Sequence, residues 1–159
     1  SIELYNKHDI AVLLNPAPAD PNLELERILS VDFFAPNETE LATLTGKTVD
    51  TVDQAREAAR GLVSAGLERV IVTLGERGSL YVTKEDERLV PAVSVDSKDS
   101  TGAGDAFIGC FAWNYVQTQS IEESLELANA YAALSTTGPG TQKSFVGEAA
   151  FKKFRASLS

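Results

Sequence analysis

Three short apolar runs mark the first half of the chain, separated by stretches in which apolar residues recur at helical spacing. The runs cover residues 11–14, 31–35 and 70–74. Strands covered by helices on both faces are almost continuously apolar, whereas strands with one solvated face alternate. These runs therefore predict buried strands of a parallel sheet.

Helices between these strands are indicated by capping residues. Asn37 and Thr51 are typical N-cap residues, and Glu40 and Gln54 follow them at the third helical position, which completes a capping box in each case. A glycine stands just beyond the end of each of these predicted helices, where the left-handed conformation that closes a helix is common. A further short helix is predicted at 23–29.

From residue 79 onward the pattern changes from strands to helices. Segments 79–83 and 88–93 predict a hairpin, and Pro91 favours an edge position for its second arm. Helices are predicted to begin at Gly102 and at Ser120, and a third lies near the C-terminus. The apolar stripes are Phe107, Ile108, Phe111, Ala112, Tyr115 and Val116 on the first helix, Ile121, Leu125, Ala128 and Ala132 on the second, and Ala150, Phe151, Phe154 and Leu158 on the third.

Strands that alternate with helices predict an α/β fold in three layers, with a mainly parallel sheet flanked by helices. Three parallel strands are fewer than the five or six of a mean sheet. The chain also contains no Met. We therefore expect residues 1–159 to be the C-terminal part of a single larger domain, either a fragment or a processed chain.

Composition and charge exclude several classes of function. The 159 residues carry 14 Lys and Arg against 23 Asp and Glu, a formal charge of -9, which disfavours binding to nucleic acid or anionic membranes. Cys110 and His8 are each alone in the sequence, so an intrachain disulfide, a thiolate zinc site and a Ser-His-Asp triad are excluded. No apolar run approaches the ~18 residues of a membrane span. A cytoplasmic protein is expected.

The segment 99–107, with the sequence DSTGAGDAF, is the strongest candidate for chemistry. Gly102 and Gly104 let the backbone approach a ligand closely where a helix begins, and the amides of that first turn can bind an anion. A carboxylate at Asp105 would repel a bound phosphate, so it does not serve binding alone. It suits a general base that takes a proton from an attacking hydroxyl, a contribution of ~10²–10⁴ in rate.

The segment also has other interpretations. Asp105 could simply complement the helix dipole, with the glycines forming a tight turn. A Walker A loop is excluded, because the Gly-Lys-Thr run at 46–48 has Leu41, and not glycine, five positions before Gly46. A dinucleotide fingerprint starting at Gly102 would require glycine at the position of Phe107.

Four segments together resemble the ribokinase-type (PfkB) carbohydrate kinases. Residues 99–107 resemble the C-terminal signature of that family, NETE at 37–40 its Asn-x-x-Glu motif, and TLGERG at 73–78 its nucleotide loop. NPAPA at 15–19 is similar to the ribokinases within the family. The resemblance implies the C-terminal half of a three-layer ribokinase-like fold, without the N-terminal half and the sugar lid.

For catalysis, the resemblance implies that Asp105 deprotonates the primary hydroxyl of a sugar substrate. The amides around Gly102, Ala103 and Gly104 would form the anion hole for the transferred γ-phosphate. Taken without the resemblance, each of these residues also has an ordinary structural role in a helix start.

For cofactors, the resemblance implies ATP, Mg²⁺ and a monovalent cation, K⁺. Asn37 would touch the phosphates, Glu40 would orient waters on Mg²⁺, and Asn129 would lie near the adenine; alternatively Asn37 and Glu40 are only a capping pair and Asn129 faces solvent. The expected nucleotide-site residues are Asn37, Glu40, Thr73, Gly75, Glu76, Arg77, Gly78, Gly104 and Asn129. The expected cation ligands, mostly through backbone oxygens, are Asp99, Thr101, Ser135, Gly138, Gly140 and Ser144.

The expected activity is ATP-dependent phosphorylation of a sugar, with D-ribose converted to ribose 5-phosphate. Two alternatives remain open: a kinase of the same family for another sugar or nucleoside, and a nucleotide-binding fragment without catalysis. The expected partners are the sugar and ATP, with a homodimer at full length or a complementing N-terminal half. The 159-residue chain alone is expected to be inactive and poorly soluble.

Overall fold

A computed structural model describes residues 2–8, 10–140 and 145–158 of the chain. These residues form two compact units, Ser1–Leu89 and Val90–Ser159. No helix in the described part of the chain combines the length and the apolar character needed to cross a membrane.

The first unit contains a five-stranded sheet and three α-helices. In chain order it comprises α1 (Ile2–Lys7), β1 (Leu13–Leu14), a 3₁₀ turn (Leu25–Arg27), β2 (Phe33–Phe34), α2 (Glu38–Thr45), α3 (Val52–Ser64), β3 (Val70–Thr73), a second 3₁₀ turn (Gly75–Arg77), β4 (Ser79–Val82) and β5 (Glu87–Val90), whose last residue begins the second unit.

The sheet order follows the chain order, β1-β2-β3-β4-β5. The first three strands are parallel, and β4 runs antiparallel to β3. β5 is the last strand in this order and is therefore an edge strand, as Pro91 predicts. Helices α2 and α3 pack against β3, and α3 also packs against β4. The predicted α/β alternation and hairpin are therefore both present.

Both predicted capping boxes are made. The Asn37 side chain accepts the N–H of Glu40 while the Glu40 carboxylate accepts the N–H of Asn37, each at 2.8 Å. The same reciprocal pair joins Thr51 and Gln54 at the start of α3. Gly46 ends α2 with φ of 64°, a conformation that glycine adopts without steric cost.

The first two strands are shorter than predicted. The segments 11–14 and 31–35 contribute only two residues each to the sheet. Asp32 lies inside the second segment, and its carboxylate accepts the N–H of Val12 at 2.7 Å, so a side chain replaces a ladder bond there. Leu13 and Leu14 are half-buried, and the prediction that the first strand is fully buried is wrong.

The helix predicted at 23–29 is reduced to the 3₁₀ turn Leu25–Arg27. Asp20 accounts for part of this difference, because its side chain accepts the N–H of Asn22 at 2.8 Å and its carbonyl accepts the N–H of Leu23 at 3.0 Å. Such an Asx turn gives the backbone an alternative to the helical bonding pattern.

The core of the first unit lies between the sheet and helices α2 and α3. Phe34, Leu41, Leu74 and Leu80 have their side chains essentially removed from solvent. The buried residues of α3 that face the same cluster are Ala55, Ala58, Ala59 and Leu62. Small alanine side chains let the helix lie close to the sheet.

The second unit consists of α4 (Ala103–Thr118), α5 (Ile121–Ser135) and α6 (Glu148–Ala156). Helix α5 packs against both α4 and α6. On α4, Phe107 and Phe111 are buried, with ring centroids 6.4 Å apart. Val116 is 67% exposed, so its predicted place in the buried stripe is wrong. It lies on the last turn of α4.

The last helix is anchored by an aromatic contact rather than by deep burial. The ring of Phe151 meets Tyr131 of α5 edge-on at 5.0 Å. Phe151 and Phe154 are half-buried, as the predicted stripe requires, whereas Ala150 and Leu158 are exposed. Leu158 lies beyond the end of α6 at Ala156, so helical spacing no longer places it on that face.

Candidate active site

Within the first unit, the NETE and TLGERG motifs share one piece of backbone pairing. Asn37 forms an isolated parallel bridge with Thr73, and the N–H of Thr73 donates to the carbonyl of Pro36 at 3.1 Å. The N-cap of α2 therefore lies beside the carboxyl end of β3. Ligands of open α/β sheets bind at this end of the strands.

Glu40 is the more buried acid of the NETE segment, with 8% of its surface exposed. Its Oε2 accepts the N–H of Asn37 at 2.8 Å, which fixes the orientation of the carboxylate. A carboxylate has about four acceptor positions, so this bond leaves capacity for water molecules. A group of this kind fits the water shell that Mg²⁺ retains when it binds phosphates.

The loop after β3 is a tight turn bounded by two glycines. Gly75 has φ of 57° and Gly78 has φ of 94°, both in the region that favours glycine. The N–H of Leu74 donates to the carbonyl of Gly78 at 2.8 Å, and the N–H of Gly78 to that of Gly75 at 3.1 Å. A Cβ added at Gly75 would meet open space. The loop can therefore present bare backbone to a ligand.

The polar side chains of this loop differ in their surroundings. Thr73 is half-buried and Glu76 is exposed. The Arg77 guanidinium is paired with the Glu38 carboxylate and also donates to the carbonyl of Asp50 at 2.7 Å. The structure thus turns Arg77 toward the starts of α2 and α3.

Within the second unit, Gly102 is the N-cap of α4 and has φ of 83°. A glycine cap offers no side-chain acceptor for the first helical amides. The N–H of Ala103 donates to the carbonyl of Ser100 at 3.1 Å, and that of Ala106 to the carbonyl of Gly102 at 2.9 Å. The amides of Gly104 and Asp105 lie between these two, at the positions where a helix N-terminus binds an anion.

Asp105 and Gly104 are both exposed on this first turn. A Cβ added at Gly104 would meet nothing within 4 Å. The carboxyl of Asp105 is therefore not packed into the interior, and there is room for a ligand beside the preceding glycine. The first turn of α4 is therefore open to a ligand, and the roles of Asp105 as a base and of these amides as an anion hole stay predictions.

Asp99 organises the residues expected around the monovalent cation. Its Oδ1 accepts the N–H of Thr101 and its Oδ2 the N–H of Gly140, each at 2.9 Å. Hydrogen bonds from Thr101, and the one from Gly140, lower the pKa of Asp99 from 3.8 to about 2. The N–H of Asp99 donates to the carbonyl of Thr136 at 3.1 Å. One carboxylate thereby joins the segment before α4 to the loop after α5.

The other expected cation ligands are placed differently. Ser135 is buried, and its hydroxyl donates to the carbonyl of Ala132 at 2.7 Å. Gly138 is half-buried and Gly140 has φ of 81°, while Ser144 lies outside the described residues. Within 2–8, 10–140 and 145–158, no group of three His, Cys, Asp or Glu residues is arranged to hold a metal. The ligands expected at these residues are mostly backbone oxygens, which suit a hard cation.

Asn129 does not face solvent. It is 5% exposed, and its side-chain amide donates to the carbonyls of Val90 at 3.1 Å and Pro91 at 3.4 Å. The solvent-facing alternative is therefore wrong. The side chain fixes the backbone just after β5 against α5, within the second unit.

The lone cysteine is not a reactive centre. Burial raises the pKa of the Cys110 thiol to about 11, and the thiolate is the nucleophilic form. Asn114 donates to its sulfur at 3.3 Å.

Several contacts of the site cannot be predicted from the sequence. The pairs Arg77–Glu38 and Asp99–Gly140 join residues that are 39 and 41 positions apart. The hydroxyl of Tyr131 donates to the carbonyl of Val146 at 2.8 Å and so fixes the segment that leads into α6. Periodicity and capping rules describe neighbours within about four positions, so they cannot find such pairs.

The chain is similar to known proteins in sequence and in fold. The model of the pfkB family of carbohydrate kinases matches residues 2–146. The chain is 51% identical to the deoxyribokinase of Salmonella typhi over 154 residues, covering 97% of this chain and 50% of that protein. It is 36% identical to the ribokinase of Haemophilus influenzae over 142 residues, 89% of this chain and 46% of the relative.

Solved structures give the same result for the fold. Ribokinase from Thermotoga maritima superimposes with a TM-score of 0.86 at 31% identity, over 98% of this chain and 52% of that one. Arabidopsis thaliana ribokinase, solved with ribose and ATP, gives 0.88 at 29% identity, over 96% and 50%. The predicted ribokinase-like fold is confirmed, and the chain spans about half the length of the curated relatives it matches. The chain belongs to the pfkB family of carbohydrate kinases.

Proposed function

We propose that the protein transfers the γ-phosphoryl group of ATP to the primary hydroxyl of a pentose. The observation that carries this proposal is the exposed carboxylate of Asp105 on the first turn of α4, beside the glycine-capped amides. A binding protein gains nothing from an acid in its anion site, whereas a kinase needs a base there.

In the proposed reaction, Asp105 accepts the proton of the sugar hydroxyl as its oxygen forms a bond to the γ-phosphorus. The bond between that phosphorus and the bridging oxygen breaks, and ADP leaves. Most of the rate enhancement in phosphoryl transfer comes from positioning and from stabilisation of charge on the equatorial oxygens. The amides of Gly104 and Asp105, aided by the helix dipole, are suited to that second role.

Nucleotide contacts are also proposed for residues of the first unit, taken by itself. We assign the bare backbone of Gly75 and Gly78, together with Thr73 and Glu76, to ATP, and Asn37 to its phosphates. Mg²⁺, when bound, neutralises charge on the β- and γ-phosphates. Glu40, oriented by the N–H of Asn37, would hold its water molecules.

Two further assignments rest on the second unit. Asp99, Thr101, Ser135, Gly138, Gly140 and Ser144 are proposed for a monovalent cation, with Asp99 holding two of these backbone segments together. Asn129 is proposed to lie near the adenine. Its bonds to Val90 and Pro91 indicate that it would act chiefly by fixing the backbone there.

Deoxyribose is favoured over D-ribose as the acceptor. The NPAPA segment at 15–19 indicates D-ribose, but the chain is 51% identical to a deoxyribokinase and 36% identical to a ribokinase. Measuring kcat/KM for each sugar, and letting the two sugars compete in one reaction, shows which of them is the preferred acceptor. A higher kcat/KM for D-ribose would restore the original prediction.

The activity is tested with Asp105→Asn in the full-length protein. We expect turnover to fall by about 10²–10⁴, as loss of a general base does, while ATP affinity stays equal or rises because the carboxylate no longer repels the phosphates. Glu126→Gln is the matched control, since Glu126 is an exposed acid on α5 outside the assigned residues. Equal turnover in the two variants would contradict the assignment, and ATP binding without phosphorylation by the wild type would favour a non-catalytic nucleotide-binding protein.

A further inference from the structure

We propose that Arg77 is a positioning residue that fixes the nucleotide loop and thereby sets the affinity for ATP. The inference rests on the proposed function and adds to it a residue that sets the affinity for one substrate, ATP. Arg77 acts through its contacts with Glu38 and Asp50 rather than through the reacting atoms.

The contacts of the Arg77 side chain join three separate segments. Its Nη2 is paired with the carboxylate of Glu38, the first residue of α2, and its Nη1 donates to the carbonyl of Asp50 at 2.7 Å. The N–H of Asp50 in turn donates to Oε1 of Gln54 at 2.8 Å, inside the first turn of α3. One guanidinium thus ties the turn 75–77 to the starts of two helices.

The contacts of Arg77 restrain the turn itself, since the far end of the loop is already held by the bond from the N–H of Leu74 to the carbonyl of Gly78 and by the pairing of Ser79 with Thr73. The near end of the loop is held where Thr73 pairs with the backbone beside Asn37. The turn that follows is only three residues long and is bounded by Gly75 and Gly78, and glycine is the residue with the most conformational freedom to lose. If the turn becomes ordered only when the nucleotide binds, the loss of conformational entropy lowers the affinity for ATP.

The charge of Arg77 also favours ATP binding. Glu38 directly follows Asn37, the residue assigned to the phosphates, and its side chain is 26% exposed while that of Arg77 is 38% exposed. The ion pair neutralises an acid beside a site for anions. Removing Arg77 loses the restraint and also exposes the negative charge. Neutralising Glu38 loses the ion pair but also removes that negative charge, so the loss of ATP affinity should be smaller.

The geometry also predicts that lysine is an incomplete substitute. Arginine has several donors in a rigid plane and can serve a carboxylate and a carbonyl at once, but the lysine ammonium is a point charge on a flexible stem. Arg77→Lys can keep the pair with Glu38 while losing the bond to Asp50. Its ATP affinity should lie between those of the wild type and Arg77→Ala.

The test measures ATP dissociation constants by calorimetry, together with kcat and both KM values, for the full-length protein. We expect Arg77→Ala to weaken ATP binding about tenfold and Glu38→Gln about two- to threefold, the range for charge-assisted bonds at partly exposed sites. The KM for the sugar and kcat at saturating ATP should change by less than about twofold. Arg88→Ala is the control, because Arg88 is also a partly exposed arginine in an ion pair. It lies on β5, its side chain is 42% exposed, and it is paired with Asp86 at 2.8 Å.

ATP affinity in Arg77→Ala equal to that of Arg88→Ala would overturn the inference. If Arg77→Ala fails to fold, Glu38→Gln decides instead, and an unchanged dissociation constant with a wild-type melting temperature overturns it. A wild-type protein that binds ATP but phosphorylates no pentose refutes the proposed function alone, since the binding series still tests Arg77. A wild-type protein that does not bind ATP refutes both.

Discussion

The carboxylate of Asp99 accepts the backbone N–H of Gly140 at 2.9 Å across 41 positions of sequence. The same carboxylate accepts the N–H of Thr101, two residues before α4 begins at Ala103. The start of α4 and the loop after α5 are therefore held by one ionised acid. The protonation state of that acid should control both.

The first prediction concerns pH. Because the folded-state pKa of Asp99 is about 2, below its ordinary 3.8, its contribution to stability is complete above the ordinary value and is lost as the pH falls toward 2. Asp99→Asn removes this titrating group, so the free energy of unfolding should fall less steeply between pH 3.8 and about 2 than in the wild type. Denaturant unfolding at a series of pH values measures the slope.

Asp96→Asn provides the control for this experiment. Asp96 is an exposed acid in the same irregular segment, so its loss changes the charge equally. If the two variants have the same pH dependence as each other, Asp99 does not organise the loop in the way described.

The second prediction separates two roles of Glu40. At the start of α3, Gln54 completes the capping box with its side-chain oxygen accepting the N–H of Thr51 at 3.1 Å. Glu40→Gln should therefore keep the box at α2 and change stability by less than about 0.5 kcal/mol. If Glu40 also holds the waters of Mg²⁺, loss of its charge should raise the Mg²⁺ concentration for half-maximal activity several-fold.

A titration of initial rate against Mg²⁺ at fixed ATP measures this effect. Glu40→Ala is the comparison, because it loses both the charge and the box and should cost about 1 kcal/mol of stability as well. An unchanged Mg²⁺ dependence in Glu40→Gln would leave Glu40 with a capping role only.

The sequence was sufficient for those parts of the site that depend on near neighbours. The boxes at Asn37 and Thr51 and the glycine start at Gly102 are all set by residues within four positions, so their geometry follows from local rules. The box at Asn37 is made in full, and this does not decide between the capping and functional interpretations. One of the two hydrogen bonds of the box, from the N–H of Asn37 to Oε2 of Glu40, also orients the carboxylate.

Properties that depend on distant contacts could not be predicted in the same way. Asn129 looks like a polar residue on an alanine-rich helix, and only the folded chain brings Val90 and Pro91 to its amide. The pair of Arg77 with Glu38 likewise depends on β3 and α2 lying side by side. Val116 was misassigned because spacing along α4 does not reveal where packing against α5 ends.

The third prediction concerns Asn129. Asn129→Ala removes a buried amide and leaves the carbonyls of Val90 and Pro91 without this donor, so the free energy of unfolding should fall by about 1–3 kcal/mol. Asn114→Ala is a suitable comparison, since Asn114 is half-buried and bonds only within α4, to the carbonyl of Cys110 at 2.8 Å. A smaller loss at position 129 than at position 114 would show that the contacts with segment 90–91 contribute little.

The fourth prediction uses the two glycines at the start of α4, for which stability and function should change in different directions. Gly102 has φ of 83°, so Gly102→Ala should destabilise the protein by about 1–2 kcal/mol, the cost of a left-handed alanine. Gly104 is helical, and a Cβ there meets nothing within 4 Å. Gly104→Ala should therefore stabilise the fold by up to about 1 kcal/mol, because alanine has the higher helix propensity.

The open space beside Gly104 is also where the proposed anion must approach. A methyl group there should weaken ATP binding and lower turnover by at least about tenfold, even though the fold becomes more stable. Gly109→Ala controls for the helix effect, since Gly109 is exposed on the same helix with equally open space and should gain stability with no loss of activity. If Gly104→Ala is both more stable and fully active, the first turn of α4 does not bind the phosphate, because a ligand in contact with these amides could not accommodate the added carbon.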